Sequence, residues 1–153
     1  MIRALAHRAI WQIQHPRWDY TADTTLRALG YNETDRALLH AAAEKAFPHR
    51  DADTPQAGQT LMMLAASGVP ADDMVRHLRA VRLLRALSGR DLEWATTLVA
   101  RVLAIGRLDL PTYRLLTHSA PTTTEHFPKD DVRAGRVTSE HVITALTPKE
   151  ATR

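Results

Sequence analysis

Apolar residues recur every three or four positions along most of the first 118 residues of the chain. This period matches the turn of an α-helix, whereas the aromatic and β-branched residues that favour strands are scattered. The pattern predicts an all-α fold, a compact helical bundle of about five to seven helices. The length of 153 residues fits a single domain with one core.

Caps and helix breakers divide this pattern into separate helices. Asn32 and Thr54 suit N-cap positions, because their side-chain oxygens can accept hydrogen bonds from the first free backbone N–H groups. Gly30 and Gly106 follow predicted helix ends, where glycine is common. The predicted helices cover residues 2–14, 22–29, 33–47, 55–67, 71–87, 91–105 and 111–118.

The helix predicted at 91–105 is apolar around about half of its circumference, which indicates a central core helix that contains Trp94. Beyond Pro121 the character changes. Residues 119–137 lack helical periodicity and contain Pro, Gly and a run of Thr, so they are predicted as a mobile loop or linker. A short terminal helix is predicted within 138–147, and the whole of 1–153 as a single helical domain.

Arginine supplies 17 of the 20 basic residues, and the formal net charge is +3. A planar guanidinium suits phosphate or carboxylate, although a GC-rich genome would produce the same bias. The absence of cysteine excludes disulfides and thiolate metal sites. No apolar run reaches the roughly 18 residues that span a bilayer, so we expect a cytoplasmic protein without a membrane partner.

The helix predicted at 71–87 carries a repeated arginine pattern that we call the arginine series: Arg76, Arg79, Arg82 and Arg85. Arg90 follows, and no acid lies between Arg76 and Arg90. A second series with the same spacing is apolar: Val75, Leu78, Val81, Leu84 and Leu87. Positions three apart drift about 60° per step, so we expect two parallel spiral bands, the apolar one against the core and the basic one outward.

The outward band predicts contact with successive phosphates of a nucleic-acid strand. The alternative is a solvated face whose ion-pair partners come from other helices. Arg101, at the edge of the apolar arc of the core helix, and Arg107, just beyond its end, are further candidate nucleic-acid contacts. Trp11 points away from the apolar stripe of the first helix, among basic residues, and is either a packing residue or a stacking platform for a base.

The segment "LAASGVPADDMVRHL", residues 64–78, resembles a helix-turn-helix motif with Gly68 at the turn. The match is imperfect, because the motif would bury Met74 and His77, whereas the apolar band uses Val75 and Leu78. Asp72 and Asp73 would also approach DNA first and repel its phosphates.

The eight histidines show no metal-ligand spacing, and the "HRDAD" loop at 49–53 lacks neighbouring partners in sequence. No phosphate-binding glycine loop or nucleophile motif occurs. We therefore expect no catalytic residues, no metal and no cofactor.

Residues 107–121, "RLDLPTYRLLTHSAP", contain a helix followed by a Pro-bearing turn. The Arg-Leu-Leu-Thr-His of 114–118 is similar to the late helix of some Cascade small subunits. Together with the size and helical character of the chain, this segment resembles the small subunit of CRISPR effector complexes. A type IV system stays open, because its small subunits are divergent. The ending "TTTEHFPKDDVRAG" departs from the firmer helical packing expected of that family.

The resemblance implies a non-catalytic protein that assembles head to tail, in several copies, along a guide RNA scaffold with CRISPR backbone subunits. Such a subunit would hold guide RNA and target DNA or RNA, with Arg114 as the basic residue inside the similar segment. Two other classes remain: a helix-turn-helix regulator, which would select one duplex sequence, and a helical adaptor that binds only protein.

Overall fold

The computed structural model of this chain describes residues 6, 7, 9, 10, 20–47 and 54–147. From residue 20 onward, the described residues form nine α-helices and one 3-10 turn, and none of them forms a strand. The predicted all-α compact helical fold is therefore confirmed.

The helices are α1 (Tyr20–Ala28), α2 (Glu33–Ala46), α3 (Thr54–Ala66), α4 (Met74–Ser88), α5 (Leu92–Ile105), α6 (Leu110–Ser119), α7 (Pro121–Thr124), α8 (Lys129–Arg133) and α9 (Ser139–Leu146). The 3-10 turn Ala71–Asp73 leads directly into α4. The first three residues of the helix predicted at 71–87 therefore form a 3-10 turn instead of an α-helical one.

Two helix ends have the predicted caps, whereas α3 begins at Thr54 itself, the residue that was predicted to precede it as N-cap. The Asn32 side chain accepts a hydrogen bond from the backbone N of Asp35 at 2.8 Å, at the start of α2. Gly106 ends α5 with φ +81°, a left-handed conformation that glycine adopts without steric cost, and its N–H donates to the carbonyl of Val102. Both features act within one turn of the chain, which is why the sequence reveals them.

Helices α4 and α5 pack against each other at the centre of the molecule. Both helices also contact α3 and α9, and α4 contacts α2 as well. One cluster of buried apolar residues extends from Leu26 in α1 to Leu146 in α9. The prediction of α5 as a core helix holds for Leu92, Ala95, Leu98, Val99 and Val102, which are buried.

Residues 119–137 differ from the predicted loop or linker. They contain α7 and α8 and bury Thr123, Thr124, Val132 and Val137. The backbone N of Leu108 donates to the carbonyl of Val137 at 2.9 Å, which ties the end of this segment to the start of α6. Helices of four and five residues are too short to show a period, so the sequence pattern could not reveal them.

Within the first predicted helix, residues 6, 7, 9 and 10 are helical, and the rest of 2–14 lies outside the described residues. Ile10 is 57% exposed, so at this position the described residues do not bury the predicted apolar stripe. Among the described helices, none combines the length and the apolar character needed to cross a membrane.

Candidate nucleic-acid interface

The buried face of α4 does not follow the predicted band of every third residue. Met74, Leu78, Ala80, Val81 and Leu84 are fully buried, and His77 is buried as well. Val75 and Leu87, which the prediction placed against the core, are each 43% exposed. A three-residue step falls short of the 3.6-residue turn, so a series with that spacing drifts around the axis and cannot stay on one side. The core instead selects steps that alternate between three and four.

The same drift divides the arginine series, since Arg76 and Arg85 differ by about 180° around the axis. Arg79 and Arg82 lie in the exposed arc of α4, on the side opposite the core. Neither side chain forms a hydrogen bond or ion pair with any residue in the described ranges. The predicted outward orientation therefore applies to these two guanidinium groups.

Arg76 faces the terminal helix α9. Its Nη2 lies 2.6 Å from Oε1 of Glu140 and donates to Oγ1 of Thr144 at 2.9 Å. The hydrogen bond with Glu140 raises the pKa of Arg76. The alternative of ion-pair partners from other helices thus applies to Arg76. Arg85, on the opposite flank, is half-buried.

Arg90 follows the C-cap of α4 and is exposed. Its guanidinium carbon lies 5.2 Å from the centroid of the Trp94 ring, which is cation–π geometry. Trp94 is half-buried against the core, so the predicted core role describes only one side of its ring. The Arg90 guanidinium lies over the other side, and this contact holds the cation at the junction of α4 and α5.

The remaining candidate arginines have different surroundings. Arg101 is paired with Asp109 across 3.1 Å. Arg107 is exposed, and its Nη1 lies 3.3 Å from the position that a Cβ on residue 135 would occupy, so the absence of a side chain at Gly135 gives it room. Arg114 is exposed on α6 and has no hydrogen bond or ion pair with the part of the chain that the structure describes.

Asp109 forms the N-cap of α6 while it holds Arg101. Its Oδ1 accepts from the backbone N of Thr112 at 3.0 Å, and its Oδ2 faces the guanidinium. Burial raises the pKa of Asp109, but the contacts with Thr112 and Arg101 outweigh burial and hold the pKa below its ordinary value. Arg101 is therefore occupied within the chain, which separates it from Arg79, Arg82 and Arg114.

The buried positions of α4 agree with the helix-turn-helix hypothesis, although the sequence pattern argued against it. Met74 and His77 are buried, as that motif requires, and Val75 is on the outside. The sequence prediction of Val75 in the core was therefore wrong. The second objection stands, because Asp72 and Asp73 are exposed at the start of α4, where they would meet DNA phosphates first.

Trp11 and the "HRDAD" loop at 49–53 lie outside the described residues. Within the described ranges, no group of three or more His, Asp or Glu side chains has the arrangement of a metal site. The sequence analysis missed Glu140 and Thr144, which occupy Arg76. No local signal could have found them, because they lie more than 60 residues along the chain from Arg76.

No protein-family model, curated protein or solved structure matches this chain.

Proposed function

We propose that this protein binds the phosphodiester backbone of a nucleic-acid strand through Arg79 and Arg82, as a non-catalytic small subunit of a CRISPR ribonucleoprotein effector complex. The observation that carries the proposal is the pair of exposed guanidinium groups on α4, which have no acid partner among the described residues. Several copies would assemble along the guide RNA with the CRISPR backbone subunits.

The spacing of the pair favours backbone contact over base readout. Positions 79 and 82 are separated by about 4.5 Å along the helix axis and by about 60° around it. Long arginine side chains can adapt this offset to neighbouring phosphates, whose contacts position a strand without reading its sequence. Binding should therefore tolerate any sequence and weaken steeply with salt.

The CRISPR assignment rests on the resemblance of 107–121 to the Cascade small-subunit family, within which the Arg-Leu-Leu-Thr-His of 114–118 is similar to the late helix of some members. Arg114, inside that segment, is exposed on α6. Arg90 and Arg107 are further exposed cations available to a bound strand. Arg76, Arg85 and Arg101 contribute less in this proposal, because Arg76 and Arg101 hold carboxylates of the chain and Arg85 is half-buried.

A helix-turn-helix regulator is the second candidate. The observation in its favour is the burial of Met74 and His77 after the turn at Gly68. In that function the N-terminal part of α4 would enter a major groove, and the protein would select one duplex sequence, commonly as a symmetric dimer.

The test begins with co-purification of the protein with the products of its genomic neighbours, followed by sequencing of any bound nucleic acid. The small-subunit function predicts guide RNA and several copies of this protein in one particle. Recovery of one palindromic duplex would favour the regulator instead. Recovery of protein partners without nucleic acid would favour an adaptor.

The second arm measures binding of a labelled single-stranded oligonucleotide of mixed sequence by fluorescence anisotropy. Arg79→Gln/Arg82→Gln should lower the affinity about tenfold at low salt and reduce the salt slope by about 1.4, since each phosphate contact to a single strand contributes about 0.7. Arg27→Gln/Arg133→Gln removes the same charge from exposed arginines on α1 and α8 and should have a much smaller effect. Equal losses in both double variants would contradict a site on α4.

A further inference from the structure

We propose that Arg76 and Thr144, with His77 beside them, form an additional phosphate contact that Glu140 keeps occupied until a nucleic-acid strand displaces its carboxylate. This inference rests on the proposed function, and it names an internal competitor for the same face of α4. The ligand is the phosphodiester group of the strand that Arg79 and Arg82 hold.

The geometry is that of a filled anion site. Arg76 donates from Nη2 to Thr144 Oγ1 at 2.9 Å, and the same nitrogen lies 2.6 Å from Glu140 Oε1. The Thr144 hydroxyl in turn lies 3.5 Å from that carboxylate oxygen. A guanidinium and a hydroxyl therefore converge on one acidic oxygen, and these two donor types also bind phosphate oxygens.

The surroundings favour a negative charge at this point. The hydrogen bond from Arg76 is the main reason that the pKa of Glu140 lies below its ordinary value, and the Arg76 charge, His77 and Thr144 lower it further. The Nδ1 atom of His77 donates to the carbonyl of Asp73 at 2.8 Å, which fixes the orientation of the buried ring. The site therefore stabilises an anion.

The carboxylate is easy to exchange, because Glu140 is the exposed partner. Its side chain is 66% exposed, compared with 35% for Arg76. Solvent and salt screen an exposed ion pair, so its loss costs the protein little. A phosphate diester brings the same charge, and its neutralisation also releases counterions from the strand.

The position of Arg76 connects this site with the free pair. Arg76 lies three residues before Arg79, a step about 60° short of a full turn of α4. A strand that Arg79 and Arg82 hold and that continues towards α9 would first meet Glu140. The negative charge of Glu140 would repel the phosphates of this strand. Displacement of Glu140 would extend the contact from two arginines to three.

The test is a salt titration of binding to the same labelled single-stranded oligonucleotide, with full-length wild type and Glu140→Gln. The glutamine variant should bind about fivefold more tightly at about 0.1 M salt, because the strand no longer has to displace a carboxylate from Arg76. Arg76→Gln should abolish this gain in the Glu140→Gln background. In the wild-type background Arg76→Gln should have a smaller effect than Arg79→Gln.

Asp72→Asn is the matched control, because it removes one exposed acid near the start of α4 that makes no hydrogen bond or ion pair with described residues. If Asp72→Asn and Glu140→Gln tighten binding equally, the effect is one of net charge and the inference is overturned, while the proposed function survives. If neither Arg79 nor Arg82 affects binding, the proposed function fails and this inference fails with it. Circular dichroism spectra and thermal midpoints of all variants confirm that each one is folded.

Discussion

Arg36 donates from Nε to Oδ1 of Asp23 at 3.0 Å, and both side chains are buried where α2 packs on α1. The same carboxylate oxygen lies 3.1 Å from Nε2 of buried His40. The Arg36 guanidinium also donates to the carbonyl of Tyr31 at 2.8 Å, in the turn before α2. This network joins two helices and their connection through polar groups.

Removal of one member of the network should destabilise the fold. Arg36→Met should lower the free energy of unfolding by about 3–5 kcal/mol, because it removes the guanidinium from the buried Asp23 carboxylate and leaves it only the contact with His40. Urea unfolding followed by circular dichroism measures the change. Arg27→Met, on the exposed side of α1, should stay within about 0.5 kcal/mol of wild type. Equal unfolding midpoints for both variants would refute a stabilising role for the buried pair.

Two adjacent leucines in α2 should respond differently to truncation. Leu39 is 1% exposed and Leu38 is 59% exposed. Leu39→Ala should lower the free energy of unfolding by about 2–5 kcal/mol, because it removes buried methyl groups and leaves a cavity. Leu38→Ala should change it by less than about 0.5 kcal/mol. A large loss for Leu38→Ala in urea unfolding would mean that this face of α2 is covered.

The ion pair of Asp109 should make stability depend on pH in the acid range. The pKa of Asp109 is depressed in the folded state, so its contribution is fully present above the unfolded value of about 3.9 and is lost as the pH falls through the folded pKa. Asp109→Asn keeps an N-cap oxygen but removes the charge that faces Arg101.

We therefore expect Asp109→Asn to be less stable than wild type by up to about 1 kcal/mol at neutral pH, since Arg101 is half-exposed. The difference should shrink in urea unfolding series as the pH falls below the unfolded value of about 3.9 and through the lower folded pKa. A constant difference at every pH would show that the loss has a cause other than the carboxylate charge.

Stacking of Arg90 on Trp94 should stabilise the junction of α4 and α5. Arg90→Ala should lower the free energy of unfolding by about 0.5–1 kcal/mol, the usual contribution of an exposed cation–π contact. Arg90→Lys retains the positive charge and should recover part of the loss. If alanine and lysine variants unfold at the wild-type midpoint, the contact contributes nothing measurable.

Features that depend on neighbours in sequence were predictable. Asn32 caps α2 and Gly106 ends α5 because their hydrogen bonds are formed within three or four residues. The terminal helix was predicted at its observed position, since Val142, Ile143 and Leu146 recur at helical spacing and are buried. The short helices α7 and α8 were not predictable, because neither is long enough to show a period.

The sequence by itself determined the all-α fold, most helix limits and the lack of acids between Arg76 and Arg90, because these follow from periodicity, capping and composition. Only the tertiary structure decided which of those arginines are free. Packing of α4 against α2, α5 and α9 set which side of the helix is buried, so Val75 is exposed and His77 is buried. It also brought Glu140 to Arg76 while it left Arg79 and Arg82 in the solvent, since contacts between residues far apart in sequence depend on how helices pack.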